Sequence, residues 1–336
     1  MQKNKLFFLA TLLSFSSLMA FDSNLVEPEV AVKMINSKNI QFISIGEKQN
    51  IISGSQIVDI DAIIDIDIIG NMKCEPFLIC PKKLKTYLEN RGIKSSQEFI
   101  LYDSQYGINA TTFYSILKAI GHENVKVLHG GYESIQSLDP NQKTYNKYLE
   151  EKKSFLSKDN NSSKNKILME NLNNKLMVLK PLLLVKKIET ITNKDTNITY
   201  DLDRSKFNFD ELVDRDLLKK AVQKVREEGS ESNISILDSC SMIDIVGNLY
   251  GSYLSGVTSI DWKELVDVKR RTLKSKELLV DLFTKQGLKP ENDVYVYCMG
   301  GSQKAFYMAF ALHQVGYKKV KVFSGDWSVW KGDLLR

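Results

Sequence analysis

Cysteine and histidine are scarce in this 336-residue sequence, which holds four of the first and three of the second. His122, His129 and His313 stand far apart, without the short paired spacing of metal ligands. That excludes a recognisable metal motif, and no metal or cofactor is expected. Beyond residue 20 there is no run of the ~20 apolar residues that a bilayer-spanning helix needs. Concentrated positive charge is missing too. Lys and Arg number 46 against 41 Asp and Glu, a formal net charge of +5. Nucleic-acid binders usually show a focused basic face, so no nucleic-acid partner is expected. With 43% hydrophobic and 26% charged residues, the chain can bury real cores and is not globally disordered. Its length suits two domains of common size.

Residues 1–20 have the pattern of a secretory signal. Lys3 and Lys5 form a positive start, Leu6 to Leu13 an apolar centre, and Leu18-Met19-Ala20 a cleavage site before Phe21. No acid precedes Asp22, so removal takes the formal charge from +5 to +3. No cysteine follows that site to carry a lipid. A periplasmic protein without a stable membrane anchor after signal removal is therefore expected. Such a compartment permits disulfides. Cys74 and Cys80 are close in sequence, but spacing alone leaves a bridge and two unpaired thiols equally open.

What the chain does have is an internal repeat. Tyr102 to Ile135 aligns without a gap on Tyr297 to Trp330: Tyr102 with Tyr297, Ala110 with Ala305, Leu117 with Leu312, Gly121 with Gly316, Val125-Lys126-Val127 with Val320-Lys321-Val322, and Gly130 with Gly325. In each copy a short apolar run enters a polar loop. A helix-period segment follows and ends at glycine, and then comes a second short apolar run. Strand, helix and strand at this spacing imply a parallel sheet, and so long a period implies two homologous domains.

Between the copies, Thr144 to Asn174 is rich in Lys, Asn, Ser and Glu and reads as an exposed connector, disordered or weakly helical. Leu176 to Ile188 reads as a strand or a docking segment. Asn208 to Glu228 has helical spacing of apolar residues and should open the second domain. Ile234 to Leu237 is then its first strand. The expected organisation is a signal over 1–20, a first domain over 21–143, a connector over 144–205 and a second domain over 206–336.

One loop carries chemistry. In Tyr295-Val296-Tyr297-Cys298-Met299-Gly300-Gly301-Ser302-Gln303-Lys304-Ala305 a strand ends at a cysteine, two glycines follow, and a helix begins near Lys304. Glycines allow tight curvature that turns successive N–H groups inward. A helix N-terminus adds unpaired N–H groups and partial positive charge. That setting lowers a thiol pKa and suits a nucleophile. The bland alternative is a small buried residue at a strand end.

These motifs, in this order, resemble the rhodanese (sulfurtransferase) family. The resemblance lies in Tyr297-Cys298-x-x-Gly301, Gly316-Tyr317-x-x-Val320, Gly325-x-Trp327-x-x-Trp330, Ile236-Leu237-Asp238, and Leu254-Ser255-Gly256-Val257 with Ile260-Asp261-Trp262. It is fainter in Gly54-Ser55-Gln56-Ile57 and Tyr102 to Ile135. It implies an α/β fold of two rhodanese-like domains, each a central, mainly parallel sheet with helices on both faces. It implies that Cys298 takes a sulfane sulfur from a small-molecule donor such as thiosulfate, as a persulfide. The backbone of Met299, Gly300, Gly301, Ser302, Gln303 and Lys304 would cradle it, and a thiol, cyanide or protein acceptor would receive it. Asp103 stands at the cysteine position of the first copy, and a carboxylate cannot form a persulfide, so that domain should be inert.

Two departures stand out. Cys240 occupies the place of an arginine usual two residues after the aspartate Asp238. Gln303 stands where Arg or Thr is common. Lys304, Lys269, Arg270 and Arg271 are candidates to replace the lost positive charge, or are simply solvated. If the two loops adjoin as in the family, Cys240 is placed to approach Cys298 and to resolve a persulfide as a disulfide. Otherwise it is a buried residue filling the arginine's volume. Asp238 and Asp261 read as loop-shaping rather than acid–base residues, and Trp327 and Trp330 as core. Two other functions compete. One is a binding module without turnover. The other is a related phosphatase, disfavoured because Lys304 stands where a bidentate arginine would be needed.

Overall fold

The computed structural model describes residues 24–35, 37–46, 51–63, 81–138, 141–156, 163–179, 183–184, 198–241, 256–298 and 302–323. Several sequence expectations lie outside them: the segment 1–20, Cys74 and Cys80, residues 157–162 of the connector, Leu254-Ser255, Met299 to Gly301, and Gly325 to Trp330.

The first half contains β1 (Leu25–Val26), α1 (Pro28–Met34), β2 (Ile40–Ile45), β3 (Ile51–Ile52), β4 (Gln56–Val58), α2 (Pro81–Glu89), β5 (Glu98–Tyr102), α3 (Ile108–Ala119), β6 (Val125–Leu128) and α4 (Gly131–Leu138). Five of these strands form one sheet in the order β1-β6-β5-β2-β4, every pair parallel. Residues alternate across a strand, and here both faces are apolar. Phe42, Ile100, Tyr102 and Leu128 pack under α1 and α4 with Ala31 and Ile135. Ile43, Ile45, Phe99, Leu101, Val125 and Val127 face the other way, toward Phe113, Ile116 and Leu117 of α3. Near-continuous hydrophobic strands are what a parallel sheet covered on both faces requires.

The connector runs through α5 (Gln142–Leu156), α6 (Ser163–Leu179) and β7 (Leu183–Leu184). The tract expected as exposed coil or weak helix is thus two helices that pack on each other. Residues 141–180 contain neither Pro nor Gly, so nothing interrupts the helix-forming Lys, Glu and Leu. β7 pairs antiparallel with β3, which ties the connector to the first half. Farther on, Tyr200 is buried, and its hydroxyl lies 3.0 Å from Nδ1 of His122. His122 in turn stacks on Phe99 at 4.0 Å. The end of the expected linker is therefore docked, not exposed.

The second half contains β8 (Leu212–Val213), α7 (Arg215–Glu228), β9 (Ile234–Asp238), β10 (Val257–Ser259), β11 (Val266–Asp267), β12 (Thr272–Leu273), α8 (Lys276–Lys285), β13 (Asp293–Tyr297), α9 (Ser302–Gln314) and β14 (Val320–Phe323). Its sheet runs β10-β9-β13-β14-β8, again parallel throughout. Read from the other edge, this is the strand order of the first sheet, so the repeat is a repeat of topology. The helix expected from Asn208 begins later, at Arg215. Asp214 stops it by accepting a hydrogen bond from Leu217 N at 2.8 Å, an N-cap, and Leu212–Val213 is drawn into the sheet edge instead. α3 and α9, the equivalent helices of the two copies, pack on each other across the seam, with Tyr114 edge-on to Phe310 at 5.2 Å.

Burial holds the His122 pKa down at about 4, below the ordinary 6.5. The ring is neutral in this buried contact with Tyr200, and protonation would place a charge where burial penalises it. A depressed folded-state pKa makes its stabilisation complete above the unfolded value and lost as pH falls from about 6.5 through 4. Urea unfolding between pH 7 and 4 is expected to show a loss of up to ~3 kcal/mol from this group. His122→Phe should flatten that part of the profile.

Candidate active site

β9 and β13 are adjacent and parallel, with Asp238 opposite Tyr297. Cys298 is the first residue beyond β13, and Cys240 the second beyond β9. Both therefore emerge at the carboxyl edge of the sheet, where open α/β sheets bind ligands. The chain between is firmly held. Ser239 donates to the Tyr297 carbonyl oxygen through its backbone N at 2.9 Å and through Oγ at 3.0 Å. Asp238 Oδ1 accepts from Cys240 N at 2.9 Å. The Cys240 and Cys298 sulfurs are bonded as a disulfide, with Cα atoms 4.9 Å apart, inside the normal range. Both residues are buried, at 2% and 3% exposure. Cys240 is thus not only a filler of the arginine's volume, and in this state Cys298 carries no free thiolate.

Asp238 shapes the loop at its own strand end. Asp261 does likewise, accepting from Lys263 N at 3.0 Å. Ser302, Gln303 and Lys304 form the first turn of α9, with Ser302 buried and the other two half-buried.

The first copy shows what this loop type does with an anion. Asp103, aligned with Cys298, is 1% exposed. Its Oδ1 accepts from Gln105 N and Gly107 N, both at 2.8 Å. Its Oδ2 accepts from Asn109 N at 2.8 Å and Ala110 N at 2.9 Å. Tyr106 and Gly107 lie at φ 64 and 94, consecutive left-handed residues that turn the N–H groups inward as an anion-binding nest. Burial pushes the Asp103 carboxyl pKa up, and the four N–H donors oppose it. By the alignment the equivalent donors in the second copy are the N–H groups of Gly300, Ser302, Lys304 and Ala305. Gly300 lies outside the described residues.

Of the cations considered as replacements for the missing arginine, Arg271 is committed elsewhere. Its Nη2 donates to the Ser104 carbonyl oxygen at 2.7 Å and lies 3.1 Å from Glu133 Oε1, and its guanidinium sits 4.8 Å from the Tyr106 ring centroid. It ties the β11–β12 hairpin of the second half to the Asp103 loop of the first. Lys269 and Arg270 are exposed, and their backbone N–H groups cap Asp267. Arg271→Ala should lower stability by about 1–2 kcal/mol, read from urea midpoints. Lysine should recover little, lacking the planar fork.

Sequence reasoning did not find the aromatic seam beside these loops. Tyr106 meets Trp262 at 6.1 Å, and Trp262 meets Tyr307 edge-on at 6.3 Å. Burial raises the Tyr307 pKa, and the charge of Asp103 adds to it, so this phenol stays neutral beside the first-copy loop. The one sequence signal was a bulky residue, Tyr106, ahead of the turn glycine Gly107.

The model of the Rhodanese-like domain family matches residues 27–138 and 253–333, together more than half of the chain. A Haloferax volcanii protein named as a provisional thiosulfate sulfurtransferase is 33% identical over 86 residues, 25% of this chain and 29% of the relative. The sulfur carrier protein TtuD of Thermus thermophilus is 29% identical over 89 residues, 26% of this chain and 30% of that protein. The chain thus spans less than a third of either relative's length. Among solved structures, the 3-mercaptopyruvate sulfotransferase SseA of Escherichia coli superposes with a TM-score of 0.62 at 18% identity, covering 90% of this chain and 98% of that one. The anaerobic ergothioneine biosynthesis enzyme of Chlorobium limicola superposes with a TM-score of 0.62 at 17% identity, covering 92% and 68%. At such identities these two show a shared fold.

Proposed function

The chain belongs to the rhodanese-like domain family, and from that membership we propose that it is a sulfurtransferase whose single nucleophile is Cys298. One observation carries this reading. At the carboxyl edge of equivalent strands, the first copy buries an anion on four backbone N–H groups, and the second copy puts a cysteine at that position. A thiolate, or the terminal sulfur of a persulfide, is an anion of the kind such a nest stabilises. In the reduced protein, Cys298 attacks the outer sulfur of a donor such as thiosulfate. The new S–S bond forms on Cys298, and sulfite departs with the electron pair of the broken bond. The names of the curated relatives favour a sulfane-sulfur substrate. The first half, with Asp103 in place of a thiol, contributes the Ser104 and Glu133 contacts that hold Arg271 of the second half, instead of chemistry.

The location proposed is the periplasm, reached through residues 1–20. The charge and apolar pattern of that segment support it, and a cysteine pair able to form a disulfide suits an oxidising compartment.

The test uses the full chain carrying Cys240→Ser, so that no internal thiol competes with the acceptor, reduced and then freed of reductant, with cyanide as acceptor. Thiosulfate and 3-mercaptopyruvate are offered in parallel, and thiocyanate is measured. Turnover with either donor supports the proposal and names the donor class. No thiocyanate from either would favour the binding-module reading. Hydrolysis of an aryl phosphate would favour a phosphatase, for which Lys304 is poorly suited.

A further inference from the structure

Sulfur transfer through Cys298 leaves a second sulfur nucleophile unused. We propose that Cys240 is the resolving thiol, and that the chain reduces a bound sulfane sulfur to hydrosulfide. This rests on the persulfide reading of Cys298. In the step, the Cys240 thiol gives up its proton and its sulfur bonds to Sγ of Cys298. The bond from that Sγ to the outer sulfur breaks, and the outer sulfur leaves with the electron pair as hydrosulfide. Two cysteine sulfurs are oxidised to the disulfide, and one sulfane sulfur is reduced by the same two electrons. A dithiol then restores both cysteines by two successive thiol–disulfide exchanges. With thiosulfate as donor, the sum is thiosulfate and a dithiol in, sulfite, hydrosulfide and a disulfide out.

Three observations support the step. The pair is set by the sheet and not by the bond. β9 and β13 pair continuously from Ile234 and Asp293 to Asp238 and Tyr297, and Ser239 anchors the turn on Tyr297. Reduction leaves that frame in place, with the two thiols held within bonding reach. Well-oriented internal nucleophiles act at effective concentrations of about 10⁵ M or more, far above any external acceptor.

Access points the same way. Cys298 is 3% exposed with Cys240 bonded to it, so Cys240 is the thiol already in reach of its inner sulfur.

The third observation is the first copy. Ser44 faces Tyr102 as Asp238 faces Tyr297, so Gly46 is the counterpart of Cys240, as Asp103 is of Cys298. The copy that lacks the nucleophile lacks its partner too. On this reading the disulfide seen here is the product state of one turnover, and a thiol reductant, two monothiols or one dithiol, must reset it.

The experiment uses the full chain, reduced and desalted under argon, then given one equivalent of thiosulfate with no acceptor. Hydrosulfide is measured by methylene blue and the protein by intact mass. The wild type is expected to release about one equivalent of hydrosulfide and end as the disulfide, without holding added sulfur. Dithiothreitol should then make release continuous. Cys240→Ser is expected to hold one extra sulfur on Cys298 and to release hydrosulfide at least about 100-fold more slowly. A wild type that keeps the extra sulfur, or equal release by both proteins, would overturn resolution while leaving the persulfide intact. If neither protein takes up sulfur from thiosulfate, mercaptopyruvate or a polysulfide, the persulfide reading itself fails, and resolution falls with it.

Discussion

In the Cys240→Ser chain, where cyanide meets no competing internal thiol, Cys298→Ser is expected to lower thiocyanate formation by at least about 1,000-fold, the scale on which removing a covalent nucleophile acts. A serine hydroxyl keeps the size and the N–H environment, but it neither ionises near neutral pH nor accepts a sulfane sulfur. The loss should fall on kcat with every donor alike. The fold should survive, because the strand pairing and the Ser239 anchor on Tyr297 need no side chain from residue 298. The bridge itself would be gone. It closes a loop with a sequence separation of 58 residues, so the variant is better compared with the reduced wild type than with the oxidised one. Urea unfolding of those two should agree within about 1 kcal/mol, the usual size of a conservative change. A variant retaining a tenth of the activity would move the nucleophile elsewhere.

The second large effect is one of stability. Asp103→Ala is expected to cost about 4 kcal/mol, measured by urea unfolding at neutral pH. It strands four N–H donors that now end on one buried carboxylate, those of Gly107 and Ala110 buried and those of Gln105 and Asn109 partly so. Orphaned buried donors cost about 1–3 kcal/mol each, and removing one partner of a buried charged network costs about 3–5 in total. Asp103→Asn should fall between. Its carbonyl oxygen can serve one pair of donors, but its amide N–H groups confront the other. If the alanine variant matched the wild type, the loop would not be a self-filled anion nest. The comparison with the Cys298 loop would then lose its physical basis.

Much of this was legible in the sequence. The gapless alignment of Tyr102–Ile135 on Tyr297–Trp330 anticipated two sheets, and they share one strand order down to the short edge strands β1 and β8. Cys298, at the end of an apolar run and ahead of a glycine pair, was visible as a strand-end cysteine. Asp103 was visible as its silent counterpart, though its four N–H partners were not. What local pattern could not show is long-range register. Cys240 and Cys298 meet only because Asp238 pairs with Tyr297. Arg271 reaches Ser104 across 167 residues of sequence, so a cation considered for substrate belongs to the seam. The connector misled for a different reason. Its Lys, Asn and Ser content suggested disorder or weak helix, yet without Pro or Gly it forms two helices that pack on each other. The late start of α7 turned on a single cap at Asp214 and on two apolar residues claimed by the sheet edge.

Sulfur carried by Cys298 as a persulfide is read out by intact mass and peptide mapping of Cys240→Ser after incubation with thiosulfate, since the competing internal thiol is absent from that variant. One added sulfur is expected, located on the peptide containing Cys298, absent from Cys240→Ser/Cys298→Ser and discharged as thiocyanate by cyanide. An unchanged mass, or added sulfur on a peptide without Cys298, would contradict it.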